Sequence, residues 1–403
     1  MQENSEKSFK FVVERAVCSD LLWLIPRNDS IPLKYIIYMK RLFLLLIATL
    51  SALISASAAR PRNVANMHDV DLVYYGSRYR SIAWDEDWAR THVAYTDSTG
   101  QTHYLFDTFL LLELHTGTGR FFEPAFRPTH PRNEIGTTKA DWVQIVDTML
   151  QVLVRNLDNA LEEVAREIGR PKYKRQVVMF IPVPTEDQTN WGELNGRALD
   201  FHSTADRIEA CHWFIDMVRE RFAQEKFKNL SLAGFYWLAE DKNSGLTMLP
   251  TLTAHIRSLG MKTIWIPYYN AAGAAEWKQM GFDAAYYQPN YAFPRRVVYR
   301  ERLYDAVKFA KEHDMFMELE YDMHAVKAST PDPDCSDRLV DYMEVFTETG
   351  MADGPIAYYQ DEGALWELKN SPNADDVALY HRFARFVADR QQRLCVSKPN
   401  TKR

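Results

Sequence analysis

Short apolar runs alternate with longer amphipathic stretches from about residue 70 to residue 390. The short runs have the length of β-strands, and the stretches between them repeat apolar residues every three to four positions, as helices do. The pattern predicts eight strands, at 71–76, 104–114, 177–182, 230–240, 262–269, 283–288, 315–321 and 355–360. Strands that alternate with helices are typical of parallel sheets, and eight such units predict a single-domain (β/α)8 TIM-type barrel. An open doubly wound sheet is the alternative, although no GxGxxG motif follows a strand.

Capping signals place helices between these strands. Thr138 with Asp141, and Ser203 with Asp206, have the spacing of helix N-termini and predict helices over 139–168 and 204–222. Glycines after the apolar periodicity predict where helices end. Further helices are predicted at 246–259, 274–280, 299–312, 337–349 and 375–390.

The N-terminal region carries an export signal. Met39-Lys40-Arg41 precedes a short apolar segment, and small residues follow it up to Ala58. This pattern predicts a secretory signal peptide over 39–58, and the segment is short for a membrane anchor. The protein is therefore expected to be exported to the periplasm or beyond, with no transmembrane segment in the mature chain.

Signal peptides begin at a start codon, so the position of this one also determines how we interpret the residues before and after it. We predict that residues 1–38 are a mis-called upstream extension, the alternative being an unusually long charged region before the apolar segment. The barrel domain is expected over 59–395, and the polar tail 396–403 is expected to be frayed.

Composition excludes several functions. The net charge of −6 comes without a run of Lys or Arg, so no nucleic-acid partner is predicted. The sequence has no HExxH, Walker or Gly-x-Ser-x-Gly motif, and its histidines lack the spacing of metal ligands, so we predict no cofactor and no metal. Aromatic residues reach 13%, which is a high content and agrees with carbohydrate binding.

Candidate site residues lie at the predicted strand ends, because active sites of such barrels lie at the C-terminal ends of the strands. Aromatic rings there can pack on the C–H faces of sugars, while amides and carboxylates can bind hydroxyl groups. The residues predicted to bind substrate are Trp191, Tyr236, Trp237, Tyr268, Asn270, Tyr286, Gln288, Asn290, Tyr291, Asp322 and Gln360. Trp84 and Trp88, after the first strand, are weaker candidates.

Carboxyl groups on the fourth and seventh strands are the candidate catalytic pair. Glu318 and Glu320 alternate with apolar residues, so both are predicted to point into the barrel, either for function or to pair with a base such as Lys262 or Arg295. Glu240 closes the fourth strand and could instead be an ordinary solvated turn acid. Glycosidic cleavage uses two carboxyl groups, so Glu240 and Glu320 are predicted to be catalytic and Glu318 to contact substrate.

Asp107 interrupts the apolar second strand and admits two interpretations. It either points into the site and binds substrate, or accepts structural hydrogen bonds. If it clusters with Glu240 and Glu320 around an ion, a metal-assisted hydrolase becomes the third functional candidate.

A family resemblance covers about Val64 to Arg390. The segments DLVYYG, FDTFLLL, GFYWLAED, IPYYN, QPNYAF and ELEYD occur in the order that resembles the domain-of-unknown-function family numbered 4855, which are exported bacterial barrel proteins. The resemblance implies a (β/α)8 fold related to glycoside hydrolases.

The positions of Glu240 and Glu320 also resemble the large retaining glycosidase superfamily, where these two acids act as proton donor and nucleophile. That superfamily usually has Asn before the first acid, whereas this chain has Ala239. The expected function is therefore a glycoside hydrolase acting on a poly- or oligosaccharide, with a non-catalytic glycan-binding barrel as the alternative. The sugar, the stereochemistry and the oligomeric state are left open.

Overall fold

The computed structural model describes residues 67–76, 83–123, 132–242, 245, 247–294, 298–329 and 334–396. The chain divides into two compact units, residues 1–60 and 61–403, and all described residues belong to the second. The predicted extension and signal peptide, and the tail after Val396, lie outside the described residues. No helix in the described part of the chain is long and apolar enough to cross a membrane.

Eight parallel strands close into a barrel, which confirms the predicted fold and excludes the open sheet. They pair in chain order, and the last strand returns to the first: β1 (Asp69–Tyr74), β4 (Thr108–Leu112), β5 (Arg175–Ile181), β8 (Leu230–Trp237), β9 (Lys262–Trp265), β10 (Ala284–Tyr287), β11 (Phe316–Glu320) and β12 (Ile356–Tyr359). Two small hairpins were not predicted: β2 (Ala94–Thr96) with β3 (Thr102–Tyr104), and β6 (Glu193–Leu194) with β7 (Arg197–Ala198).

Helices surround the barrel and largely match the predicted positions. They are α1 (Glu86–Val93), α2 (Arg132–Ile135), α3 (Lys139–Thr148), α4 (Arg155–Ile168), α5 (Thr204–Glu225), α6 (Leu249–Ser258), α7 (Glu301–Glu312), α8 (Ser336–Glu348), α9 (Ala364–Asn370) and α10 (Ala374–Val396). A π-helical segment, Met149–Val154, joins α3 to α4 within the predicted helix 139–168. The helix predicted at 274–280 is only a 3₁₀ turn, Ala274–Glu276.

The predicted caps form as the sequence requires. Thr138 accepts from the backbone N–H of Asp141, and the Asp141 carboxylate accepts from the N–H of Thr138 at 2.7 Å, which together make a capping box. Ser203 accepts from the N–H of Asp206 at the start of α5. Both helices therefore begin where their capping side chains satisfy free backbone donors.

One glycine is required by close strand packing. A Cβ atom on Gly234 would lie 2.1 Å from the carbonyl oxygen of Lys262 on the neighbouring strand β9. Only glycine therefore allows β8 to approach β9 at this point, directly below the segment that carries Glu240.

Strand register shows which side chains face the barrel interior. Leu319 of β11 lies beside Tyr358 of β12, whose ring packs against Phe383 of α10, so this row faces the helices. Glu318 and Glu320 belong to the alternate row and point inward, as the sequence predicts.

Candidate active site

Three carboxyl groups meet at the C-terminal end of the barrel. Glu318 and Glu320 lie on the inner face of β11 and are each only 1% exposed, whereas Glu240, three residues after β8, is partly exposed. The three are close enough for the charge of Glu240 to raise the pKa values of both Glu318 and Glu320. The fourth and seventh barrel strands thus bring their acids together.

Glu240 lies in a protein environment and is not a freely solvated turn acid. Burial raises its pKa to about 7, and the nearby Asp241 raises it further, against the lowering effect of a hydrogen bond from Gln288. The amide of Gln288 donates to Oε1 of Glu240 at 2.9 Å and to the carbonyl oxygen of Ile266 at 3.1 Å. Gln288 is therefore fixed by the sheet and orients the carboxyl group.

Glu320 is the most strongly hydrogen-bonded of the three acids. The hydroxyl group of Tyr342, on α8, donates to its Oε2, and the backbone N–H groups of Asn290 and Tyr291 also donate to it. Burial raises the pKa of Glu320 to about 7, while these donors favour the ionised form. The site therefore holds this carboxylate in one orientation.

Glu318 lies beside Glu320, and no cation among the described residues contributes to its pKa. Burial and then the charges of Glu320 and Glu240 raise its pKa well above the usual value. Its Oε1 has no hydrogen-bond partner among the described residues. Lys262, one of the suggested partners, instead bonds Asp283 at 3.3 Å, and Arg295 lies outside the described residues. Burial therefore favours the uncharged form of the Glu318 carboxyl group.

Tyrosines surround the acids, and three of them, Tyr74, Tyr359 and Tyr342, were missed in the sequence. Tyr74 ends β1 and Tyr359 ends β12, and their rings meet edge to face with centroids 5.7 Å apart. Burial and the charge of Glu318 raise the pKa values of both, as they do for Tyr236. Period-2 alternation in DLVYYG would have placed Tyr74 inside. Tyr342 could not have been found from strand ends because it lies on a helix.

Comparison with known proteins identifies the family. The profile described as "Domain of unknown function (DUF4855)" matches residues 69–385, which is most of the chain. The chain belongs to this family. A search of curated proteins found no match.

Several solved barrels resemble the DUF4855 barrel at low identity. A family GH18 chitinase catalytic domain from the fern Peteris ryukyuensis is 11% identical over 79% of this chain and 98% of its own, with a TM-score of 0.40. The PgaB glycoside hydrolase domain from Bordetella bronchiseptica is 11% identical over 78% and 98%, with a TM-score of 0.39. A tryptophan synthase chain from Pyrococcus furiosus is 9% identical over 79% and 97%, with a TM-score of 0.35. Similarities at this level carry no information about the reaction.

Some predicted residues do line the DUF4855 site. Tyr236 faces the acids, and Tyr268 approaches Asp241 with its hydroxyl group at 3.4 Å. Burial raises the pKa of Tyr268, and the charges of Asp241 and Glu240 add to the effect. Asp322 accepts from the N–H of His324 at 2.9 Å, and its charge contributes to the raised pKa of Tyr359 at the same rim.

Two asparagines at the rim contribute through their backbones. Asn290 takes a positive φ of 52°, and its N–H donates to Glu320. Asn270 is exposed, and its N–H donates to the hydroxyl group of Tyr287 at 2.7 Å. Asn270 therefore supports the loop after β9 without a contact to the acids.

Both predicted tryptophans are core residues, which corrects the expectation that they bind sugar. Trp237 follows Tyr236 on β8, so it faces outward, and it is completely buried. Trp191 is 1% exposed and packs against Trp142, Phe201 and Trp213. Trp88, the weaker candidate, is likewise buried, on α1.

Three further side chains point away from the acids. The Tyr291 hydroxyl group donates to Asp341 of α8 at 2.7 Å, so only its backbone serves the site. The amide of Gln360 donates to Asp71 at 2.7 Å, on the side of the strands that faces the helices. Tyr286 is inside the barrel but fully buried, and burial followed by the charges of Asp107 and Asp69 raises its pKa. It therefore lies toward the opposite end.

Asp107 lies at the N-terminal end of the barrel, where it accepts structural hydrogen bonds. Its oxygens accept from the N–H groups of His68 and Asp69 at 3.0–3.1 Å and from the Gln391 amide at 3.2 Å. It cannot join Glu240 and Glu320 around an ion, which removes the geometry of the metal-assisted candidate. Among the described residues no group of three or more His, Cys, Asp or Glu side chains is arranged to hold a metal.

Proposed function

We propose that this protein is a glycoside hydrolase that acts on a poly- or oligosaccharide outside the cytoplasm. The observation that carries the proposal is the acid cluster at the C-terminal rim, in which Glu240 and Glu320 have pKa values raised to about 7 and different hydrogen-bond environments. Two carboxyl groups that differ in this way can divide the roles of acid and nucleophile or base.

Glu240 is suited to be the general acid. It is partly exposed, the side chain of Gln288 donates to it, and its raised pKa keeps a proton available near neutral pH. In the first step, its O–H gives the proton to the glycosidic oxygen as the bond from that oxygen to the anomeric carbon breaks.

Glu320 is suited to act as the carboxylate partner. Donation from Tyr342 and two backbone N–H groups stabilises its charged form and fixes its direction. It either bonds to the anomeric carbon, after which Glu240 takes a proton from the attacking water, or takes that proton itself while water attacks directly.

Export rests on the N-terminal pattern. The charged residues before the apolar segment and the small residues ending at Ala58 support secretion of the chain from about Ala59. A hydrolase of this kind would then meet polymers that do not enter the cell.

A non-catalytic glycan-binding barrel is the second candidate. The observation that favours it is the 1% exposure of Glu320, since an anomeric carbon has to reach this carboxylate for covalent chemistry. Binding would use the same tyrosines and amides without turnover.

The test is an activity screen of the protein, expressed as the full chain so that the host performs any processing, against a panel of polysaccharides. Glu240→Gln, Glu320→Gln and the control Glu312→Gln, an exposed acid on α7, run beside it. Sugar release that the first two variants lose and the control keeps supports the hydrolase. Release that persists in either variant identifies other carboxylates, and glycan binding without release by the wild type supports the binding barrel.

A further inference from the structure

A cavity lies between residues that follow β1, residues that follow β4 and helix α3. Its volume is about 470 Å³, within the usual range of small-ligand sites. Tyr75, Trp84, Thr116, Thr118, Gln144 and Thr148 are among the residues that line it. No step of the proposed hydrolysis uses this cavity.

The cavity shares chain segments with the acid cluster. Tyr75 lines the cavity and directly follows Tyr74, whose phenol faces Glu240 and Glu318. Phe122 also lines it and precedes Glu123, whose charge acts on Tyr236. A polymer that occupies the acid cluster could therefore extend into the cavity.

One wall of the cavity is a partly exposed aromatic stack. The rings of Tyr75 and Trp84 lie nearly parallel, 11° apart, with centroids separated by 5.8 Å. Trp84 is held in turn by an edge-to-face contact with the buried Trp88 at 4.4 Å. Fixed aromatic faces of this kind can pack on the C–H face of a sugar ring.

The remaining walls offer uncharged polar groups. Thr116 and Thr118 lie on a turn, and Gln144 and Thr148 lie one helical turn apart on α3. Among the described lining residues the charged one is Asp141, which is bonded to Thr138 in the capping box and lies 4.0 Å from the guanidinium of Arg120. No Lys or Arg is among these described residues, and Arg120 itself pairs with Asp141 and donates to the carbonyl oxygen of Gly136.

We infer that this cavity is a binding subsite for a neutral sugar unit of an extended glycan, adjacent to the acid cluster. Aromatic faces and hydroxyl or amide groups match a neutral sugar, whereas a uronate, sulfate or phosphate would need a cation, and the described lining residues supply none. The inference rests on the proposed function for the location of the glycan. It identifies the preferred ligand as a chain of several neutral sugars.

The experiment measures binding by calorimetry in the Glu320→Gln background, so that probes are not consumed. The probes are neutral oligosaccharides of one to six units from the cello-, xylo-, manno-, chito- and malto- series. In at least one series affinity is expected to rise with length. Adding Trp84→Ala should lower the affinity for the longest oligosaccharides of that series about five- to tenfold. The affinity for the shortest oligosaccharide that binds should change by no more than about twofold.

A second variant protects the test against misfolding. Gln144 is exposed on α3, so Gln144→Met keeps its shape and should cause a loss of about two- to threefold, again confined to long members. Tyr173→Ala removes a half-exposed aromatic residue at the N-terminal end of the barrel, before β5, and should change nothing.

Three results would overturn the inference: no binding in any series, equal effects of both variants on short and long members, or tighter binding of oligogalacturonate than of every neutral series. Its failure is distinguishable from failure of the hydrolase proposal. If the wild-type protein shows length-dependent binding but no hydrolysis, the subsite inference stands and the catalytic acid pair is wrong. If it hydrolyses a glycan with a KM that does not depend on chain length, the acid pair stands and the subsite inference is wrong.

Discussion

The two ends of the barrel bury acids in opposite ways. At the N-terminal end, Asp69 pairs with Arg390 at 2.8 Å and accepts from Gln391, while Asp107 pairs with His68 at 2.9 Å. At the C-terminal end, Glu240, Glu318 and Glu320 meet with no positively charged side chain among the groups that shift the pKa values of Glu240 and Glu318.

The difference in protonation follows directly. Although burial opposes it, the hydrogen bond from His68 lowers the pKa of Asp107, so this acid stays ionised and structural. Burial raises the pKa values of the three glutamates, to about 7 for Glu240 and Glu320, so a proton can be given or taken there near neutral pH. The N-terminal end thus stabilises the fold, whereas the C-terminal end carries the acids of the proposed reaction.

The largest effect on activity should distinguish Glu320 from Glu318, which lie two residues apart on β11. Under the proposed mechanism, Glu320→Gln removes the carboxylate that would bond the anomeric carbon or take the proton from water, and we expect kcat/KM to fall by about 10³-fold or more. Glu318→Gln replaces a carboxyl group whose raised pKa favours the uncharged form by a neutral amide of the same shape, so kcat/KM should stay within about tenfold. Kinetics on the substrate found in the screen measure both. Equal losses would show that Glu318 also has to ionise.

Breaking the N-terminal network should cost stability without affecting the reaction. Arg390→Met removes the guanidinium partner of the buried Asp69, and we expect the free energy of unfolding to fall by about 3–5 kcal/mol. Urea denaturation measures it. The control Arg393→Met removes an exposed arginine 3.9 Å from Asp353 and should cost less than about 1 kcal/mol. A loss of kcat in folded Arg390→Met protein would contradict the division between the two ends.

The pH dependence of stability tests Glu318 directly. Its folded pKa lies above the ordinary value of 4.5, so above that pH the folded state keeps a proton that the unfolded state has released. This contribution to stability is therefore lost as pH rises. Glu318→Gln does not titrate, so its stability relative to the wild type should increase between pH 5 and 8, by at most about 1.4 kcal/mol per pH unit. Urea unfolding at several pH values measures the difference, which should be flat for Glu312→Gln. A decrease with rising pH would refute the assignment.

The smallest effect concerns the donor to Glu240. Gln288→Met keeps the size of the side chain but removes the hydrogen bond that lowers the pKa of Glu240. The alkaline limb of the pH profile of kcat/KM should therefore move upward, by less than about one pH unit. A downward shift would mean that another acid controls this limb.

Periodicity predicted the barrel well because each strand and cap is a local pattern. The alternation in MFMELEY placed Glu318 and Glu320 inside, and the same rule applied to β8 would have separated Tyr236, which faces inward, from Trp237, which faces outward. The role of Asp107 could not be predicted in this way. Its partner Gln391 lies 284 residues away, and only the closed fold brings the two together.

Closure of the barrel requires contacts between the first and the last parts of the chain to be synthesised. β1 pairs with β12, and Asp69 finds its guanidinium partner 321 residues later, near the end of α10. A nascent chain that stops before Arg390 already contains the acid cluster and all eight strands, yet it lacks the guanidinium partner of Asp69. A premature stop codon late in α10 should therefore destabilise the fold even though every candidate site residue has been translated.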